Sequence, residues 1–539
     1  SSNDFIFLYS LIDFTFFFIY GFLITYSISP YSVLEQCGIK HPKPSPFFGN
    51  LMMFRDGFFK AQSDLIKKYG RICGYYIGRR PIVIIADPDM LRQVMVKEFN
   101  KFPNRMTGRG MTKPMSDSLI MLKGEQWKRV RSILTPTFSA AKMKEMVLLI
   151  NMATETLVRN LKSHAESGNS FNIHKCFGCF TMDVIASVAF GTQVDSQNNP
   201  DDPFVNHASK FFAFTFFKPI MIFFMAFPFL LKPLAGLLPN KSRDEMNSFF
   251  IKCIQKMIKQ RDDLPPEQRR RDFLQLMLDV RASNKYLSLE HFDVVNDADE
   301  QACTEQGMDN GQENGPGNES TKRAQQKRMM TEDEVVGQSF IFLLAGYETS
   351  SNTLAFTCYL LALHPECQKK LQEEVDEFFS RHTADYTNVQ ELKYLDMVIC
   401  ESLRLYPPAF RFARDVDQDT VVNGQLLPKG SSLEIAAGFL HYDPEHWTEP
   451  EKFIPERFTP EVKASRHPFV YLPFGAGPRS CVGMRLAQLE IKMALYKTNV
   501  QSIFYVTQVP LELKSHTTLG PKNGILVKIT KRENFEDES

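Results

Sequence analysis

The chain has 539 residues, with 63 Lys and Arg against 62 Asp and Glu, a formal net charge of +1 and 43% hydrophobic residues. So even a balance leaves no field to gather nucleic acid or another polyanion, and the length allows one large core or two ordinary ones. Ten cysteines are too sparse over this length for a disulfide scaffold. Cys176 and Cys179 have the spacing of half a zinc or redox site, but no second pair follows at a matching distance, and they read as helix packing.

In chain order, 1–30 reads as a membrane anchor. Residues 5–28 are almost wholly apolar, with Asp13 the only charge, and are long enough to cross a bilayer. Their summed transfer energy outweighs the roughly 3 kcal/mol that Asp13 costs at mid-span. The stretch is too long for a signal-peptide core and lacks a basic leader. Lys40, Lys43, Arg55 and Lys60 follow it and place the body on the cytoplasmic side. Residues 31–46 form a hinge, stiffened by the alternating prolines Pro42, Pro44 and Pro46. Residues 47–531 read as the catalytic body and 532–539 as a tail.

Within the body, 74–86 is strand-like, with a turn at 78–81, and 88–98 is helical. A loop with Gly108 and Gly110 precedes Trp127 and Arg131, which lie four apart on one helical face and suit a carboxylate. The Phe-rich stretch 211–237 is interrupted by Lys218, Pro219, Pro228, Lys232 and Pro233. It predicts short helices and a loop dipping into the same bilayer face rather than a second crossing. Residues 293–330 have too few apolar side chains to offset ordering entropy and read as a flexible insertion. The Asn318-Glu319-Ser320 sequon inside it would go unused on the cytoplasmic side.

Thr331 to Glu334 is a capping box. It opens a helix that runs to about His364, where Pro365 stops it, a length of roughly 50 Å. Ala345, Gly346, Glu348 and Thr349 lie near its middle. Glycine there costs about 1 kcal/mol relative to alanine, so packing or the close approach of a flat cofactor is expected. Glu401 and Arg404 share a helical face at i, i+3, and Arg457 follows some way on. Alone, that pair reads as a surface ion pair of little worth. The stretch 473–483 then carries a single cysteine, Cys481, in a glycine-rich loop with Arg479 two residues before it and a helical run after it. Such a loop can aim backbone N–H groups at a thiolate and make it a soft ligand for iron.

Trp127-x-x-x-Arg131, Ala345-Gly346-x-Glu348-Thr349, Glu401-x-x-Arg404 and Phe474-x-x-Gly477-x-Arg479-x-Cys481, in that order, resemble the cytochrome P450 family from about Pro42 to Lys531. The resemblance implies a mainly α fold with small β-sheets in one large domain, preceded by an N-terminal transmembrane helix, and haem b as cofactor. By position, Cys481 would be the axial ligand of the iron. Arg105, Trp127, Arg131, Arg414 and Arg479 would hold the propionates, with Phe474, Gly477 and Gly483 shaping the loop. Glu401, Arg404 and Arg457 would form a structural triad. Ala345, Gly346, Glu348 and Thr349 would line the distal, catalytic face, and Leu119, Ile120, Ala409 and Phe410 the substrate cavity.

Longer runs at 41–47, 74–80, 187–192, 394–399, 406–412 and 519–524 resemble the branch of that family that rearranges lipid endoperoxides. They imply an isomerase of the endoplasmic reticulum membrane acting on prostaglandin H2, whose own O–O bond removes the need for O2, NADPH or a reductase. Thr349 stands where that branch carries an apolar residue. With Glu348 it makes the acid–alcohol pair of oxygen-activating members, so a reductase-served, NADPH-dependent monooxygenase of lipids or xenobiotics is the alternative. A haem sensor or carrier would account for the cysteine loop but not for so large a distal helix.

Overall fold

Long helix-period runs and a few short stretches of Ile and Val build a mainly α architecture with small sheets, as a computed structural model gives it. It describes residues 2–106, 112–213, 217–230, 234, 241–281, 329–507 and 509–532. The elements that matter below are, in chain order, α1 (Ser2–Ile28), β1 (Ile72–Ile77), β2 (Arg80–Ile85), α2 (Gly124–Leu134), α3 (Ala140–Ser167), α4 (Ile173–Phe190), α5 (Pro219–Ala226), α6 (Glu332–Leu363), α7 (Lys393–Leu405), β3 (Phe412–Asp415), β4 (Ser432–Ile435), α8 (Met484–Gln501), β5 (Leu513–Lys514) and β6 (Gly520–Pro521). The chain divides into two compact units. One is Ser1–Gly110 with Thr215–Leu238 and Arg411–Phe439, the other Met111–Phe214 with Pro239–Phe410 and Leu440–Ser539.

The first unit is built on a four-stranded sheet in the order β1-β2-β4-β3, parallel only between β2 and β4. Val83, Ile84 and Ile85 have no exposed surface, as expected of a strand covered on both faces. Glu434 in β4 is buried among them and is satisfied by Gln62 Nε2 (2.6 Å), Tyr75 Oη (2.7 Å) and Arg411 Nη1 (3.0 Å), so its charge is not left alone in an apolar medium. The β1–β2 turn is tighter than the sequence suggests. Ile77 pairs with Arg80, leaving Gly78 and Arg79 as a two-residue turn, and Pro81 sits within β2 opposite Tyr76. Gly78 has φ +56°, and a Cβ there would lie 2.6 Å from the Met225 carbonyl. The predicted 88–98 helix is an α-turn at Pro88–Arg92, capped by Asp87, that widens into a π-turn at Gln93–Lys97.

Among the described residues two helices are apolar and long enough to cross a membrane, and burial separates them. In the stretch from Thr15 only 17% of the window is covered by protein, against 78% for α4. Phe16, Phe17 and Phe18 on α1 are 69–79% exposed, which fits a lipid-facing anchor. At the foot of α1, Tyr26 donates to the Ala226 carbonyl (3.2 Å), stacks on Phe227 and lies under the Arg79 guanidinium. The described parts of 211–237 within this unit are α5 and a 3-10 turn at Pro228–Leu230, both too short to span. Ile220, Phe223 and Phe229 on them are exposed.

In the second unit α6 packs most extensively on α4. Its capping box is formed, with Glu334 N–H donating to Thr331 Oγ1 (3.1 Å) and Thr331 N–H to Glu334 Oε2 (2.9 Å), and it ends just before Pro365. Cys176 and Cys179 lie on α4, where burial pushes their thiols up to about 11 and about 12. They are packing residues there. The insertion read at 293–330 falls almost wholly outside the described residues, as do the loop at 107–111 and the end of the tail.

Glu490 on α8 is 4% exposed, and burial pushes its carboxyl up to about 8 despite a hydrogen bond with Ser350 of α6. In the fold this group stays neutral where an unfolded glutamate, near 4.5, has ionised. The contribution of Glu490 to stability is therefore fully present in acid, falls as pH rises from about 4.5 to about 8, and is spent above that. Glu490→Gln is expected to flatten this slope, as read from thermal midpoints measured between about pH 5 and about pH 9.

Candidate functional site

Two glycines make the cysteine loop possible. Gly475 (φ +73°) and Gly477 (φ +68°) adopt left-handed backbone that other residues avoid. The loop closes through Gly475 N–H to Leu472 O (3.2 Å), Ser480 N–H to Gly477 O (2.9 Å) and Cys481 N–H to Phe474 O (2.9 Å). It leaves Cys481 exposed and Phe474 half-buried, and α8 begins three residues later with Gly483 at its cap.

The helix α2 grips this loop. Arg131 Nη1 donates to Ser480 O (2.9 Å), and the Arg479 guanidinium lies 4.1 Å from the Trp127 ring centre. Arg479 is 3% exposed and donates to Leu119 O (3.2 Å) and Leu122 O (3.0 Å). The Trp-x-x-x-Arg and Arg-x-Cys patterns thus meet side by side. The donors placed by these bonds hold backbone carbonyls of the loop and of 119–122.

Behind the loop, Glu401 and Arg404 have no exposed side-chain surface and pair through Nε–Oε2 (2.7 Å) and Nη2–Oε1 (2.8 Å). Arg457 Nε (3.2 Å) and Ile454 N–H (2.9 Å) complete the Glu401 carboxylate. Arg404 also donates to the carbonyls of His441, Pro450 and Lys452. His441 is fully buried, and burial together with the neighbouring Arg404 pushes it down to about 3. It is therefore neutral, with Nδ1–H donating to Arg404 O (3.1 Å) and Nε2 accepting from Leu472 N–H (2.9 Å). Leu472 starts the cysteine loop, so the ion pair on α7 positions that loop through one imidazole.

Four residues near the middle of α6 face three ways. Ala345 is exposed although most of its helix is buried, and Thr349, one turn on, is half-buried, its Oγ1 donating to Ala345 O (2.8 Å). Gly346 packs on α4, where a Cβ would meet Ile185 at 2.9 Å. The glycine therefore has a packing reason independent of any cofactor. Glu348 is 2% exposed and is taken by Lys514 Nζ (3.2 Å) and Thr518 Oγ1 (3.2 Å). Of the four residues read as cavity lining, Phe410 has no exposed surface and Leu119 only 7%, whereas Ile120 and Ala409 are half-buried.

In the first unit, Arg414 on β3 is 1% exposed, donates Nη1 to Ala413 O (2.9 Å) and has no partner for Nε. Burial, with the charge of Arg105 adding to it, pushes the guanidinium down to about 9. Among the described residues no carboxylate pairs with Arg414. A buried cation beside a second cation calls for an anion. In the second unit an exposed thiol on a glycine loop suits the iron of haem, and in the first, taken by itself, a buried arginine without a carboxylate among the described residues suits an anion such as a propionate. Sequence reasoning missed His441, Lys514, Thr518, Asn352 and the carbonyls of Leu119, Leu122 and Ser480. Carbonyls carry no sequence signature, and Thr518 is 170 residues from Glu348.

The chain matches the family model described as Cytochrome P450 over residues 39–301 and 316–502. It is 49% identical over 512 residues to the thromboxane-A synthase of Macaca fascicularis and 50% identical over 513 residues to that of Mus musculus, in each case over 94% of both chains. It is 37% identical over 517 residues to cytochrome P450 3A5 of Homo sapiens, over 95% of both.

Two outcomes are expected. Arg414→Met should raise the melting temperature of the haem-free protein yet speed haem loss to an apoglobin acceptor about tenfold to hundredfold, the loss of one charge-assisted hydrogen bond. Glu401→Gln should cost about 3–5 kcal/mol in urea unfolding, because it strands Arg404 in the interior.

Proposed function

Because the chain belongs to the cytochrome P450 family, we propose that it is a thromboxane-A synthase. It rearranges prostaglandin H2 to thromboxane A2, with a C17 hydroxy acid and malondialdehyde as fragmentation products, and uses neither O2 nor NADPH. One observation carries this reading: identity of 49–50% across 94% of each chain to thromboxane-A synthases, against 37% for cytochrome P450 3A5.

Haem, when bound, would supply one-electron exchange chemistry for the endoperoxide O–O bond. The chain's part is to hold that group and orient the substrate. Cys481 would hold the iron, with its loop kept in place by Arg131 on Ser480 and by Arg479 against Trp127. Arg414 and Arg105 would take propionate charge. On α6, Ala345 offers no polar group and the Thr349 hydroxyl is committed to Ala345 O. A face without a committed acid suits a reaction that needs orientation and exclusion of water rather than protons. Thr349 is also what favours the second reading, a monooxygenase, because an alcohol at that point can be recruited for proton delivery.

The anchor at 1–30 and the hinge at 31–46 hold a body of 47–531 on the cytoplasmic face of the endoplasmic reticulum, with α5 and Phe229 in contact with the same membrane.

Purified ferric holoprotein given prostaglandin H2 without O2, NADPH or reductase is expected to release thromboxane B2, the hydrolysis product of thromboxane A2, together with the C17 hydroxy acid. Cys481→Ala should abolish both products and the thiolate-type absorption. Absence of turnover by haem-loaded protein, with lipid oxidation appearing only on addition of NADPH, reductase and O2, would replace the synthase by the monooxygenase.

A further inference from the structure

The hairpin of β5 and β6 has only two residue pairs, Lys514 with Gly520 and Leu513 with Pro521. A ladder that short does not hold a fixed position by itself. One face of α6 helps to hold it. Glu348 and Asn352 lie one turn apart. The Glu348 Oε1 atom accepts from Lys514 Nζ (3.2 Å), Thr518 Oγ1 (3.2 Å) and Asn352 Nδ2 (3.4 Å). Asn352 Nδ2 also donates to Leu519 O (3.1 Å). The amide is held this way round because a flip would turn Oδ1 onto the Leu519 carbonyl and the Glu348 carboxylate. Held so, Oδ1 lies 2.7 Å from His174 Nε2 on α4, which serves as its donor. A side chain at Gly520 would crowd the contact: a Cβ would lie 3.0 Å from Asn352 Nδ2 and 3.0 Å from Lys514 Cε, so both would have to give. Across the turn, Leu519 N–H donates to Pro408 O (3.0 Å), next to the half-buried Ala409. The turn 515–518 is therefore suspended between the stretch of α6 that carries Ala345 and Thr349 and the segment 408–410.

We propose that Glu348 and Lys514 are positioning residues: their ion pair fixes the 513–520 hairpin on α6, and through its turn sets the orientation in which substrate is held, so that Glu348 serves as an anchor and not as the proton source of the Glu348–Thr349 pair. Glu348 is 2% exposed, and three donors converge on one of its oxygens. A carboxylate tied in this way gives up its partners only at the cost of an uncompensated buried charge. For an isomerisation that branches between ring closure and fragmentation, orientation decides the branch. The product-ratio part of the inference therefore rests on the synthase reading, whereas the clamp itself does not.

The test uses full-length, haem-loaded protein and the variants Lys514→Met, Glu348→Gln, the double variant and Lys514→Arg. Two quantities are read: amide hydrogen exchange at Leu519 and Gly520, and the ratio of thromboxane B2 to C17 hydroxy acid formed from prostaglandin H2. Each single charge removal is expected to speed exchange about tenfold and to change the product ratio about twofold or more. The double variant should be no worse than the poorer single one, the non-additivity of a direct pair, and Lys514→Arg should stay near the parent. Unchanged exchange in Lys514→Met, or additive effects in the double variant, would overturn the clamp. Faster exchange with an unchanged product ratio would overturn its role in orientation. If the parent protein forms neither product, the synthase reading fails, and the exchange data still decide the clamp.

Discussion

A carboxylate and a guanidinium shut away from water bind each other because neither can be left alone. The Glu401–Arg404 pair is such a case, with no exposed surface on either side chain. Removing two charges from water costs more than their attraction alone returns, so the remaining donors must also be used. Arg404 accordingly spends its other N–H groups on the carbonyls of His441, Pro450 and Lys452, and Glu401 takes Arg457 and the Ile454 N–H. The result is a knot that gathers α7, 441–457 and, through neutral His441, Leu472 at the base of the cysteine loop. Its value is geometric. The loop cannot move without breaking a bond in a place that water does not reach.

The loop is approached from the other side by α2, and the same logic holds there. Arg131 and Arg479 neutralise the partial charges of loop and 119–122 carbonyls, while Trp127 covers the Arg479 guanidinium by a cation–π contact. The thiol itself is left exposed. A soft donor set in rigid surroundings is what a metal ligand requires. In the first unit, taken by itself, Arg414 is a buried cation that no carboxylate among the described residues pairs with.

The central helix α6 shows how one element serves several constraints by turning. One face carries Ala345 and Thr349 and keeps surface open, another packs Gly346 on Ile185, and a third holds Glu348 and Asn352 against a hairpin that could not place itself. Successive residues are set about 100° apart, so neighbours in a motif need not share a task.

Much of the architecture was legible in the sequence because it depends on local rules. The capping box at Thr331, the stop at Pro365, the apolar anchor and the positive-φ glycines around Cys481 all follow from nearest-neighbour chemistry. The order of four short patterns was enough to suggest the family. The sequence could not say that the Glu401–Arg404 pair is buried rather than on the surface, since its spacing suits both. It also could not divide the Ala-Gly-x-Glu-Thr run among three faces, or assign Gly346 to Ile185. Nor did it show Lys514, Thr518 and His174 as partners of α6. Those facts depend on contacts between segments up to 178 residues apart. Burial, which decides whether a charge is an anchor or a solvated ornament, exists only once the chain has folded.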